Sequence, residues 1–144
     1  MAKRIRIRRG LVVLAAGLAT FALPVAEAQG PTCAGVEATD VGTAGDDRIV
    51  GTEGRDVIVA RAGHDVVLAR GGRDLVCGGF GPDELDGGAG SDRLKGGGGR
   101  DALAGQGGDD VLSGGAGEDA GNGGPGTDRC PKVEHQTNCE GEAN

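Results

Sequence analysis

The chain has no Trp and no Tyr, and only two Phe among its 144 residues. With almost no rings to stack on bases, and no basic stripe beyond the first nine residues, nucleic acid is excluded as a partner. His-Glu-x-x-His and Gly-x-Ser-x-Gly are both missing, and no acid and base are paired outside the repeat described below, so the sequence offers no catalytic set. Acidic, Gly-rich and aromatic-poor, with 32 Gly and a formal net charge of −7, such a composition ordinarily belongs to a disordered chain. What argues against disorder is the placement of Gly and Asp.

From Gly42 to Pro131 one nine-residue unit is written ten times without a gap. Its fourth residue is Gly in every copy, from Gly45 to Gly126. The sixth is always Asp: Asp47, Asp56, Asp65, Asp74, Asp83, Asp92, Asp101, Asp110, Asp119 and Asp128. The eighth is apolar in nine copies (Ile49, Ile58, Val67, Val76, Leu85, Leu94, Leu103, Leu112, Cys130), and Gly121 breaks the column. A short fixed period of this kind is the signature of a solenoid.

Gly recurs too often for a helix, so each copy reads as a tight turn followed by a strand stub at positions seven to nine. Along that stub side chains alternate, and the eighth column becomes the core. If successive copies lie on opposite sides of a flattened coil, Ile49, Val67, Leu85, Leu103 and Gly121 face Ile58, Val76, Leu94, Leu112 and Cys130. Two copies then complete one turn, with strands about 4.8 Å apart. One aliphatic side chain per nine residues is a thin core against the entropy of nine ordered backbones.

Stacked Asp carboxylates repel, by about 1 kcal/mol per pair even in water, and a cation between them would reverse that sign. Gly-rich turns leave carbonyl oxygens free to join the carboxylates, and an irregular cage of oxygens suits Ca²⁺ better than Mg²⁺. Calcium is the expected ligand.

The unit resembles the GGxGxDxUx nonapeptide of the hemolysin-type (RTX) calcium-binding repeats, most closely in GGFGPDELD (Gly78 to Asp86), GGAGSDRLK (Gly87 to Lys95) and GGGGRDALA (Gly96 to Ala104). The resemblance implies an all-β fold, a right-handed parallel β-roll (β-solenoid) of ten nonapeptide repeats with two short parallel sheets. It also implies ions held between turns one coil apart, ligated by the ten sixth-position Asp residues and turn carbonyls. The first four copies depart from the pattern by opening Gly-Thr, Gly-Thr, Ala-Arg and Ala-Arg, and Arg stands at the fifth position as Arg55, Arg73 and, in the seventh copy, Arg100. A residue held there at positive φ is strained where Gly is not. With the richer strands Val57-Ile58-Val59 and Val66-Val67-Leu68, that half reads as a hydrophobic scaffold from which calcium-dependent copies extend.

Ahead of the repeats, Lys3, Arg4, Arg6, Arg8 and Arg9 precede an apolar run from Leu11 to Leu23, and Ala26-Glu27-Ala28 supplies small residues for cleavage. Residues 1–28 read as a secretory signal peptide; the run is shorter than the ~20 residues of a membrane span. Arg8-Arg9 raises the twin-arginine route, but without its usual flanking residues the general route is preferred. Cleavage removes five cations and one Glu, taking the net charge from −7 to −11. Residues 29–41 form an N-terminal cap segment, with Asp40 where the core residue of a preceding copy would fall, 42–131 the calcium-binding roll, and 132–144 a disulfide-capped tail.

Four Cys in an exported chain are expected to form disulfides. Cys130 is at position eight of the tenth copy, and Cys139 lies nine residues on, at position eight of a degenerate eleventh. Their bridge would staple the last turn and partly fill the space at Gly121. Cys33 and Cys77 are the second pair, with Cys77 outward at position nine; four Cys allow three pairings. A zinc site on Cys130, His135 and Cys139 is the alternative, and His64 reads as a solvated turn residue.

The function expected is that of a secreted, extracellular, non-catalytic protein that folds on binding Ca²⁺ after export. About eight interior sites, each pairing copies i and i+2, would bind cooperatively in the ~10⁻⁴–10⁻³ M range of extracellular modules. A metal-independent structural or adhesive spacer is the alternative, and an accessory module of an enzyme a third. Calcium ions are the partners expected; no membrane span survives cleavage, and nothing in the sequence names a protein partner.

Overall fold

A computed structural model describes residues 5–6 and 30–139. The signal peptide expected over residues 1–28 lies outside the described residues, apart from the two-residue strand β1 (Ile5–Arg6). A hairpin of β2 (Thr32–Cys33) and β3 (Val36–Glu37) leads to β4 (Asp40–Val41). The repeats then give β5 (Arg48–Val50), β6 (Val57–Ala62), β7 (Val66–Leu68), β8 (Leu75–Phe80), β9 (Glu84–Ala89), β10 (Arg93–Gly98), β11 (Ala102–Gly107), β12 (Val111–Ala116) and β13 (Ala120–Asn122), and β14 (His135–Thr137) closes the series. Among the described residues there is no helix.

Successive repeat strands alternate between two sheets. One runs β1-β4-β6-β8-β10-β12, the other β14-β13-β11-β9-β7-β5, and every pairing between repeat strands is parallel. Val76 lies opposite Ile58 and Leu94, and Leu85 opposite Val67 and Leu103. Each strand therefore pairs with the copy two units on, the register expected for two copies per turn. The result is a parallel β-roll of about five turns. The eighth column is the core: Ile58, Val67, Val76 and Leu112 are completely buried, and Leu85, Leu94 and Leu103 nearly so.

Strands β5, β7 and β13 are three-residue stubs, but the other repeat strands are longer. From β8 to β12 each spans six residues, running from position seven through position three of the next copy. Side-chain alternation then turns the first position inward as well as the eighth. Ala60 and Ala69 are fully buried at that position, and the glycines elsewhere in the column are buried too. That all ten first positions are Gly or Ala was the available signal for this column.

Both ends are closed by sequence that has lost the repeat. At the N-terminal end β4 pairs in parallel with β6, placing Asp40 opposite Ile58, at the core position and buried. Thr39 binds the same strand: its N–H and hydroxyl donate to the Val57 carbonyl, and its Oγ1 accepts the Val57 N–H at 2.9 Å. The hairpin is tied to β8 by the disulfide Cys33–Cys77, as expected.

At the C-terminal end the Cys130–Cys139 disulfide forms, but the register differs from the one expected. Strand β14 sets His135, Gln136 and Thr137 opposite Ala120, Gly121 and Asn122. Gln136 thus stands at position eight and Cys139 does not, because the chain reaches the edge three residues early. Nor does the bridge occupy the space at Gly121: Val133 does, buried, with its methyls against the place a Gly121 side chain would take. With both sulfurs in one disulfide, the zinc alternative on Cys130, His135 and Cys139 falls.

Candidate metal centre

The turns are built by two columns of left-handed backbone. In copies three to ten the second residue has φ between 75° and 126° and the fourth between 112° and 152°. Gly adopts these angles freely; Arg61, Arg70 and Gln106 take them at the second position against their sterics. The fifth position, where Arg55, Arg73 and Arg100 sit, is not among the positive-φ residues, so strain belongs to the second position alone. At the fourth position the coils touch: a Cβ on Gly63 would lie 2.6 Å from the Gly45 carbonyl carbon.

This turn delivers the sixth-position Asp to the interior. Nine of the ten are buried, from Asp56 to Asp128, and Asp47, on the first turn, is half-buried. They stack in two ladders, one along each edge of the flattened coil. In each ladder the backbone N–H of one Asp donates to Oδ1 of the Asp eighteen residues on, at 2.8–3.0 Å from Asp47–Asp65 through Asp110–Asp128. The carbonyl of the same Asp accepts the N–H of the seventh residue of that next coil.

The second carboxylate oxygen behaves differently. Oδ2 of Asp65, Asp74, Asp83, Asp92, Asp101, Asp110, Asp119 and Asp128 is buried without any hydrogen-bond partner. An orphaned carboxylate oxygen costs the full loss of its hydration. Burial accordingly raises the carboxyl pKa of Asp65, Asp92 and Asp101, and pushes Asp74, Asp83 and Asp110 up to about 6; the backbone hydrogen bond from the preceding Asp opposes this, and neighbouring carboxylates add to it in all six.

Around six of these eight orphaned oxygens, from Asp83 to Asp128, the first position is glycine for a reason of space. A Cβ added at Gly87 would lie 2.7 Å from Asp92 Oδ2 and 3.1 Å from the Gly105 carbonyl oxygen. The same two kinds of oxygen converge at Gly78 (Asp83 and the Gly96 carbonyl), Gly96 (Asp101 and Gly114) and Gly105 (Asp110 and Gly123). Each forms a cradle of one carboxylate and one carbonyl from the adjacent coil. Among the described residues no three His, Cys, Asp or Glu side chains converge on a metal position, so any ion here draws on carbonyls for the rest of its shell. Hard oxygen donors of mixed type suit Ca²⁺, and the uncompensated charge on Oδ2 is what a cation would satisfy. The residues fit calcium.

Two ligand-like groups escaped the nine-residue reading. Glu134 Oε2 accepts the Asp119 N–H at 2.9 Å, the place of a sixth-position Asp. The Asn138 carbonyl faces the cradle at Gly123 together with Asp128 Oδ2. Both sit three residues earlier than the repeat would put them, which is why the period hid them; an acid followed by the three strand residues His135, Gln136 and Thr137 was the remaining signal. His64 is exposed, as expected.

The fold and its carboxylate ladders define a class: a parallel β-roll whose turns carry buried acid. The model of the RTX calcium-binding nonapeptide repeat (four copies) matches residues 41–76, 78–103 and 96–130, well over half of the chain, and the chain belongs to that family. No curated protein and no solved structure matches the chain.

Proposed function

We propose that this is a secreted, non-catalytic calcium-binding protein whose roll is completed by Ca²⁺ after export. The observation that carries the reading is the row of buried Oδ2 atoms without a partner, five of which, on Asp83, Asp92, Asp101, Asp110 and Asp128, share a cradle with a backbone carbonyl of the adjacent coil. Sixth-position Asp residues of the repeat would hold the ions. Bound ions neutralise carboxylates that otherwise disfavour the folded coil, so calcium stabilises it by mass action. Export is supported by two disulfides and by the basic and apolar opening of the sequence. Among the described residues no helix is long and apolar enough to cross a membrane.

Thermal melts of the full chain test this. At about 10 mM Ca²⁺ and a Kd of ~10⁻⁴–10⁻³ M, each site adds roughly 1.4–2.7 kcal/mol, so the melting temperature should rise by tens of degrees over that in chelator. Equal melting temperatures would favour the metal-independent spacer, the second reading. The hydrogen-bonded continuity of the ladders without metal is what supports that alternative.

A further inference from the structure

The ten copies are not ten equivalent sites. In copies one and two the acid is already satisfied by protein. Thr43 donates its N–H to Asp47 Oδ2 at 2.5 Å and its hydroxyl at 2.9 Å, and Thr52 does the same for Asp56 at 2.6 and 3.0 Å. Their Oγ1 atoms also accept the N–H of Gly45 and Gly54. These turns close on themselves, and both glycines stay outside the left-handed region used by every other fourth-position Gly.

Copies three and four differ in another way. Ala60 and Ala69, fully buried, stand at the first position in register with the glycines of later copies, Ala60 between the pairs Val59–Cys77 and Arg61–Gly79. In those later copies the place of a first-position Cβ is the cradle itself, flanked by the orphaned carboxylate oxygen and the carbonyl of the next coil. At Ala60 and Ala69 a buried methyl group stands at the corresponding position, so that Asp65 and Asp74 Oδ2, although also without a partner, have a carbon where the later copies have open space. Threonine donors in copies one and two and alanine methyls in copies three and four thus set four consecutive copies apart from the rest by two unrelated means. At the far end Glu134 and Asn138 complete copies nine and ten, although they lie outside the nonapeptide register.

Resting on the calcium reading above, we propose that the ion array is confined to copies five to ten, about six sites from Asp83 to Asp128 closed by Glu134 and Asn138, and that copies one to four form a metal-independent stem on which the array assembles. The stem carries the β-branched core of Ile49, Ile58, Val67 and Val76 and the Cys33–Cys77 disulfide. It offers a folded end coil against which the first ion can bind, so order spreads in one direction, toward the C-terminus.

Calcium stoichiometry of the full chain, with residue-resolved hydrogen exchange, decides this. Asp65→Asn and Asp74→Asn should leave the number of bound ions unchanged, Asp92→Asn and Asp110→Asn should lower it, and Ala60→Gly with Ala69→Gly should raise it. In chelator the amides of Ile58, Val67 and Val76 should keep their protection to within about tenfold, while those of Leu94, Leu103 and Leu112 lose more than about 100-fold. Loss of an ion in Asp65→Asn, no gain on opening Ala60 and Ala69, or equal loss of protection in both halves of wild type would overturn the proposal. Absence of any bound calcium would instead remove the reading on which it rests.

Discussion

The N–H of Asp92 donates to Asp110 Oδ1 at 2.8 Å, while Asp110 Oδ2, on the same carboxylate, is buried with no partner. One oxygen fixes the spacing of the coils and the other is left for a cation. That division explains how a row of acids serves a fold it would otherwise oppose.

Protons should compete for the same oxygen. In the metal-free coil Asp74, Asp83 and Asp110 titrate at about 6, raised from 3.8 chiefly by burial. A pKa raised by folding means the folded coil binds more protons than the unfolded chain between those values, so stability is greatest below pH 4 for these groups and is lost as pH rises through 6. Denaturation of the full chain in chelator should therefore show stability falling from pH 4.5 to 6.5. In saturating calcium the trend should reverse, because protons now displace ions. A calcium-free stability that rises over this range would contradict the assignment of burial as the cause.

The two disulfides differ in what they close. Cys33–Cys77 spans 44 residues and Cys130–Cys139 nine, so on loop entropy alone their removal costs about 4 and about 2.5 kcal/mol. Replacing each pair by Ser and following chemical denaturation in calcium should give the larger loss for the first, which also frees the hairpin from β8.

Arg61 holds φ at 89° where the later copies have Gly. A left-handed non-Gly residue costs roughly 1–2 kcal/mol, and Gly gives back part of that through unfolded-state entropy. Arg61→Gly should thus stabilise the roll by about 0.5–1 kcal/mol in a denaturant titration, against the usual cost of placing Gly in a strand. A loss of stability would mean that the Arg side chain makes up for its backbone.

Much of this was legible in the repeat. Gly45 to Gly126 and Asp47 to Asp128 fixed the period, and Ile58 to Leu112 gave the core and the pairing of copies two apart. What escaped is what a period cannot carry. Thr43 and Thr52 act through their hydroxyls, visible only once the turn brings them to the Asp four residues on. Val133 fills the gap at Gly121 from a segment with no repeat, and Glu134 enters the ladder after a three-residue shortening that moves Cys139 out of register. The inward first position went unnoticed because Gly has no side chain to announce burial.

The central claim is that calcium completes the fold, and far-UV circular dichroism of the full chain, disulfides intact, tests it most directly when calcium is raised from chelator to about 10 mM. The account predicts a partial β signal in chelator, from the stem, and a cooperative rise to the full signal. A spectrum already complete in chelator and unchanged by calcium would contradict it.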